Sequence, residues 1–152
     1  MSIVSVAQVS PAANLSDSLQ KVRDFAAQAA AAKSQLVVFP EAILGGYPRG
    51  SQFGAVVGER TAAGRAQFRE YWEAAVDLPG PATDALGEIA AQHRLYLVVG
   101  VIERAAGTLY CTVVFFSPDG RYMGKHRKLM PTGSERLVWG FGDGSTMPVF
   151  DT

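Results

Sequence analysis

Cysteine is all but missing from this chain. Cys111 is the only one among 152 residues, which excludes an internal disulfide framework and fits a reducing, cytoplasmic setting. Histidine is scarce as well. His93 and His126, scattered and with a single thiol, give no metal-ligand spacing, so neither a metal nor another cofactor is expected. Net charge is missing too: 14 basic and 14 acidic residues cancel, leaving no polyanion-binding surface and no expected nucleic-acid partner. No apolar run approaches the roughly 20 residues that span a bilayer, so no membrane partner is expected. Met1-Ser2-Ile3-Val4-Ser5-Val6 lacks the charged and long apolar regions of a signal peptide. No internal repeat or low-complexity tract appears. The length suffices for one ordinary domain with a real core.

What is present is organised around Leu36-Val37-Val38-Phe39-Pro40-Glu41 and the Ala42-Ile43-Leu44-Gly45-Gly46-Tyr47-Pro48 run behind it. The apolar, β-branched start reads as a buried strand too short for a helix. Pro40 has no N–H for a ladder, so the strand should end there. Glu41 then sits at the exit of a buried strand, where α/β proteins place their chemistry. Half out of water, such a carboxylate suits a general base. Taken alone, this stretch favours the plainer reading, a glutamate that caps the turn or pairs with a surface arginine.

Ile3 to Val9 reads as a first strand, and Asn14, Ser16 or Asp17 can cap the helix after it. Leu15, Leu19, Val22, Phe25, Ala26 and Ala29 fall at helical spacing and form one apolar stripe. With the Leu36 strand this makes a β-α-β unit, whose strands should be parallel. Gly45 to Gly50 is too densely punctuated by Gly and Pro for regular structure. Ala62 to Val76 reads as a helix with Phe68, Tyr71, Trp72 and Ala75 on one side, a face expected to serve as core or interface. Pro81 suits the first turn of a further helix carrying Leu86, Ile89, Ala90 and His93, and His93 is read as structural. Leu95–Ile102 and Leu109–Phe116 are two more buried strands. Ser117-Pro118-Asp119-Gly120 is a turn from which Arg121 to Lys125 returns antiparallel. The expected class is therefore α/β, with helices layered on a mixed sheet.

A second stretch with chemical content leaves that hairpin: Lys125-His126-Arg127-Lys128-Leu129-Met130-Pro131-Thr132-Gly133-Ser134-Glu135-Arg136. Its basic run is open to two readings, a solvated face or a lysine aimed into the cleft of Glu41. In the second, the lysine is a compact cation for a developing anion. Glu135 either holds that lysine or stays in solvent; spacing does not choose.

Taken together, Phe39-Pro40-Glu41, Gly45-Gly46-Tyr47-Pro48 and His126-Arg127-Lys128-Leu129 resemble the nitrilase family of carbon–nitrogen hydrolases. Gly107-Thr108-Leu109-Tyr110-Cys111-Thr112 and Glu135-Arg136-Leu137-Val138-Trp139-Gly140 look like its nitrile-cleaving branch. The resemblance runs from Ile3 to the last residue, with the motifs in the family's order. It implies part of an α-β-β-α sandwich and a Glu-Lys-Cys triad. Position by position, Glu41 matches the general base, Lys128 the catalytic lysine and Glu135 a second carboxylate supporting it. Tyr47 and Trp139 match positions lining the substrate pocket. The implied substrate is a small nitrile, attacked by a thiol and hydrolysed through a thioimidate and a thioester to an acid and ammonia. A dimer or longer spiral of identical subunits is the implied assembly.

The family's nucleophilic cysteine falls beyond Thr152, so residues 1–152 are expected to be a single incomplete carbon–nitrogen hydrolase domain lacking its C-terminal half. Cys111 does not match the nucleophile and is read as a small buried hydrophobe in mid-strand. By itself the chain is expected to be inactive on nitriles. Two other readings stand beside this one: a truncated, non-catalytic partner of a full-length subunit, and an amidase or cyanide-degrading relative.

Overall fold

The computed structural model describes residues 2–56 and 60–152. In chain order come β1 (Val4–Val6), α1 (Leu15–Ala31), β2 (Leu36–Val38), α2 (Ala62–Ala74), α3 (Pro81–His93), β3 (Tyr96–Ala105), β4 (Thr108–Phe116) and β5 (Tyr122–Arg127), then one 3-10 turn at Gly133–Leu137. The strands form a single sheet in the order β1-β2-β3-β4-β5. β1, β2 and β3 are parallel; β4 and β5 run antiparallel to their neighbours. The sheet is mixed, as the pattern predicts.

Local signals account for most boundaries. The Asn14 side chain caps α1 by accepting from the Asp17 N–H, and Pro81 opens α3. Four elements differ from expectation: β3 runs on past Ile102 to Ala105 and β5 past Lys125 to Arg127, while two others stop short. The first strand covers only Val4–Val6, because its partner β2 offers just Leu36–Val38 before Pro40. The second helix stops at Ala74, because the backbone of Val76 extends the sheet instead. Its N–H donates to Ile102 O (2.9 Å) and its carbonyl accepts from the Arg104 N–H (2.8 Å). A strand position satisfies both backbone groups there, and that outweighs one more helical residue.

Residues paired across a ladder share a face. One face of the sheet, with Leu97, Val99, Val114 and Phe116, buries against Val22, Ala26 and Ala29 of α1 and Leu86, Ile89 and Ala90 of α3. This is one helical layer on one sheet, half of a four-layer α-β-β-α arrangement. His93 lies at the end of α3 with Nε2 buried and unpaired among the described residues. The opposite face carries a smaller core of Ala42, Ala75, Ile102, Leu109, Cys111 and Trp139, against which Phe68, Tyr71 and Trp72 of α2 lean. Beside that core, on the same face, lies the cleft described next.

Candidate active site

β2 delivers Glu41. Its continuation bonds to β3 through the Phe39 N–H and Val98 O (2.8 Å), and Pro40 then ends the ladder. The turn that follows lies directly on β3 at Gly100, where an added Cβ would meet Pro40 O at 2.4 Å and the Glu41 Cα at 2.8 Å. Only a glycine admits so close an approach. Ala42 takes a left-handed φ of 55°, and Leu44 immediately re-enters the sheet, bonding to Gly100 O and Ile102 N–H. The strained residue is thus over-determined by its flanks, and the carboxylate projects over the sheet.

β5 delivers Lys128. Phe116 pairs with Tyr122, but Phe115 pairs with Gly124, so Met123 is an extra, bulged residue. Beyond the bulge Thr112 faces Arg127, and the Lys128 N–H donates to Cys111 O (2.8 Å). Lys128 therefore shares a face with Cys111, on the side where Glu41 sits. The Lys128 carbonyl accepts from the Gly142 N–H (2.9 Å), which fixes this residue from its other flank.

Three predicted residues meet here. Lys128 Nζ donates to Glu41 Oε1 and to Glu135 Oε2, each at 2.9 Å. Glu135 comes from the first turn of the 3-10 segment, with its side chain 8% exposed. Its Oε2 also accepts from the Thr132 N–H (2.6 Å) and its Oε1 from the Tyr47 hydroxyl (2.8 Å). Tyr47 and Trp139 stand edge to face, with ring centroids 5.6 Å apart. The Trp139 indole donates to Tyr71 Oη (3.0 Å), which donates on to Gly46 O (3.1 Å). Trp139 is buried, with Lys128 Nζ 5.5 Å from its ring centroid. The cleft itself, about 500 Å³, is lined by Glu41 and Lys128 with Phe39, Val98, Cys111, Val113, His126 and Leu129. Tyr47 and Trp139 stand behind the charged groups, on the Glu135 side, rather than on that wall.

Charge is distributed unequally. Burial works against the Lys128 cation, but its hydrogen bonds to Glu135 and Glu41, with their negative charge, outweigh it and hold the ammonium above its ordinary pKa. Burial likewise opposes the Glu135 anion; the Thr132 N–H, Lys128 and Tyr47 more than compensate, keeping it ionised below the ordinary carboxylate range. The Tyr47 phenol is pushed up, chiefly by its bond to Glu135. What results is a locked ammonium with one buried and one accessible carboxylate beside it. Such a set can accept a proton and stabilise a developing anion. Among the described residues no cluster of His, Cys, Asp and Glu is placed to hold a metal.

Cys111 is buried in mid-strand, as its sequence context predicts, but it has a contact that the sequence does not signal. Cys111 lies beside the charged groups, its thiol donating to Glu41 Oε1 (3.3 Å). Burial, then the charge and hydrogen bond of Glu41, push that thiol up to about 12. The register signal was present in the turn but shifted by the Met123 bulge. Counted without it, Arg127 and not Lys128 falls opposite Cys111.

A carbon–nitrogen hydrolase family model matches residues 3–152. A bifunctional nitrilase/nitrile hydratase of Lupinus angustifolius is 60% identical over 134 residues, covering 88% of this chain and 38% of that protein. A nitrilase of Bradyrhizobium diazoefficiens is 56% identical over 135 residues, covering 89% of this chain and 42% of its own length. The chain thus spans about two fifths of these relatives. Among solved structures, an amidase from Nesterenkonia sp. superposes with a TM-score of 0.65 at 20% identity, over 92% of this chain and 48% of that one. A carbon–nitrogen hydrolase from Helicobacter pylori gives 0.64, also at 20% identity, over 91% of this chain and 44% of the other. At that identity the superpositions speak to fold.

Proposed function

Because the chain belongs to the carbon–nitrogen hydrolase family, we propose that it forms the glutamate- and lysine-bearing part of a nitrilase. In this reading residues 1–152 are one incomplete catalytic domain, and the nucleophilic thiol comes from the remaining length that the relatives possess. The observation carrying the proposal is the bridging ammonium of Lys128, 2.9 Å from both Glu41 and Glu135, at the edge of a cleft.

A nitrile is a weak electrophile, so attack needs a thiolate, a base for its proton and a cation near the nitrogen. Glu41 takes the thiol proton. The thiolate adds to the nitrile carbon, and the charge developing on nitrogen is met by Lys128 until a proton arrives, giving a thioimidate. Water activated by Glu41 adds to the thioimidate carbon; loss of ammonia leaves a thioester, and a second water releases the acid and the thiol. Glu135 holds Lys128 in place throughout, while Tyr47 and Trp139, behind the charged groups and off the present cleft wall, are proposed to bound the substrate pocket on the Glu135 side once the remaining length closes it. The complete protein is proposed to assemble as a dimer or spiral of identical subunits.

The lupin relative is a bifunctional nitrilase/nitrile hydratase, which supports a second outcome from the same intermediate. If the tetrahedral adduct expels the thiol rather than ammonia, an amide leaves after one water. The direct test fuses residues 1–152 to the C-terminal portion of the lupin relative and follows ammonia, acid and amide from aliphatic and aromatic nitriles, an amide and cyanide. Turnover of nitriles by the fusion, abolished by Glu41→Gln, is expected, together with none by the 1–152 chain. Turnover confined to amides or cyanide would move the protein to that branch. An inactive fusion would favour the non-catalytic partner, and sustained turnover by the chain alone would overturn the external nucleophile.

A further inference from the structure

The carboxylate of Glu41 has two oxygens that differ in their surroundings. Oε1 receives both the Lys128 ammonium (2.9 Å) and the Cys111 thiol (3.3 Å). No described residue donates to Oε2. The two donors approach from different elements, Lys128 from the end of β5 and Cys111 from within β4. Cys111 is 7% exposed and its backbone is paired with Ile102 in the ladder, so only rotation about χ1, restricted by burial, can move its Sγ.

A carboxylate free to rotate presents either oxygen to a reactant, and an ammonium on a flexible stem follows whichever turns toward it. One fixed donor removes that freedom. We propose that Cys111 is a positioning residue: with Lys128 it binds Oε1, and so leaves Oε2 as the oxygen of Glu41 that takes the proton of the attacking nucleophile. The inference rests on the function proposed above and adds a role for a residue that the resemblance leaves idle.

The choice of a thiol has chemical consequences. An S–H is a weak donor, so it orients the carboxylate while quenching its basicity less than a hydroxyl would. It also has to remain protonated. Cys111 meets that condition, because burial and the Glu41 charge keep the thiol un-ionised through the neutral range. The same two influences make it a poor nucleophile, so a sulfur can stand beside the catalytic base without competing for substrate.

Two measurements test this. In the active fusion, Cys111→Ala is expected to lower kcat about tenfold, the worth of one hydrogen bond, with KM unchanged within about twofold. Cys111→Ser, which restores a donor, is expected to recover most of that loss. Equal losses for both variants, or a loss in Ala matched by a lower Tm, would reduce Cys111 to packing and overturn the proposal. The second measurement needs no activity, so it separates failure here from failure of the nitrilase reading. In the 1–152 chain, modification of Cys111 by a soluble aromatic disulfide is followed against pH. Glu41→Gln is expected to move the midpoint down by about one unit or more. The S–H infrared stretch of the unsubstituted chain is expected at lower frequency than in Glu41→Gln. An unmoved midpoint or an unshifted stretch removes the hydrogen bond, and the proposal with it.

Discussion

Lys128 is the residue on which the cleft's electrostatics turn. It is the one cation between Glu41 and Glu135, and neither carboxylate has another cation within 4.0 Å among the described residues. Lys128→Met in the active fusion keeps the stem's bulk and removes the charge. The expected result is a loss of about 10²–10³ in kcat, comparable to removing a preorganised oxyanion donor, measured by ammonia release at saturating nitrile. Acid acts on the same kind of pairing. Glu135 and Glu103 are both held below the ordinary value of 4.5 although burial opposes their ionisation. For Glu103 the opposing influences are hydrogen bonds from Arg127, Lys125 and Thr112. A carboxylate with a depressed folded-state pKa contributes stability that is present above 4.5 and lost as pH falls through the lower folded value. Urea unfolding of the chain is therefore expected to be flat near neutrality and to weaken progressively below about pH 4.5. Glu103→Gln is expected to be less stable at pH 7, by about 2 kcal/mol after allowing for the partial exposure of its cations, with a shallower acid limb. At this scale the sequence was informative where chemistry is local to a motif. Glu41 and Lys128 were legible as a carboxylate and an ammonium, each leaving a strand. The bond from Cys111 to Glu41 was not, because it depends on a register that no single residue encodes.

The elements explain why. The βαβ unit, the order of the eight helices and strands among the described residues and the turn at Ser117–Gly120 follow from periodicity and punctuation. A one-residue slip, however, turns every side chain of a strand to the other face, and the Met123 bulge is such a slip. Nothing in Tyr122-Met123-Gly124 announces it beyond the glycine, which adopts a φ of 143°. Similarly, the helical pattern through Val76 gives way at its end to a pairing with β3. Gly100 is where element packing meets the site most directly. It looks like an ordinary weak point in a β-strand, yet the Glu41 turn rests on its Cα. Gly100→Ala would drive a methyl against Pro40 O and the backbone of Ala42, at 2.4 and 2.8 Å. Backbone cannot swing away as a side-chain tip does, so the turn itself has to lift. The expected cost is about 1–3 kcal/mol of stability. A further fall in kcat of about 10²-fold follows if the carboxylate moves by an ångström. Urea unfolding and kcat, measured on the same fusion, check both parts.

At the scale of the whole chain, the two faces of the sheet have different fates. One is closed by α1 and α3 over a continuous core. On the other, Val98, Val113 and Phe115 are only partly buried, although they are as apolar as the residues across the sheet. Val6 of the edge strand β1 shares that face through its register with Val38 and Val98; Val4 and Val6 are 56% and 78% exposed, and Val149 near the C-terminus is 95% exposed. Contiguous apolar surface of this kind marks a place where further protein packs, and an unpaired edge such as β1 is a template for pairing. In the proposed nitrilase these surfaces are covered by the length that the chain does not share with its relatives. The 1–152 chain is therefore expected to bind a hydrophobic dye such as ANS and to associate increasingly with concentration in sedimentation. The fusion should show little dye binding and a discrete oligomer. A lysine at Val113 separates this face from the β1 edge as the source. Val113→Lys should suppress dye binding if the face pairing Glu41 with Lys128 is responsible, and leave it unchanged if the edge is. A monomeric, dye-silent 1–152 chain would mean that the half-buried face is self-sufficient, and the incomplete-domain reading would fail with it.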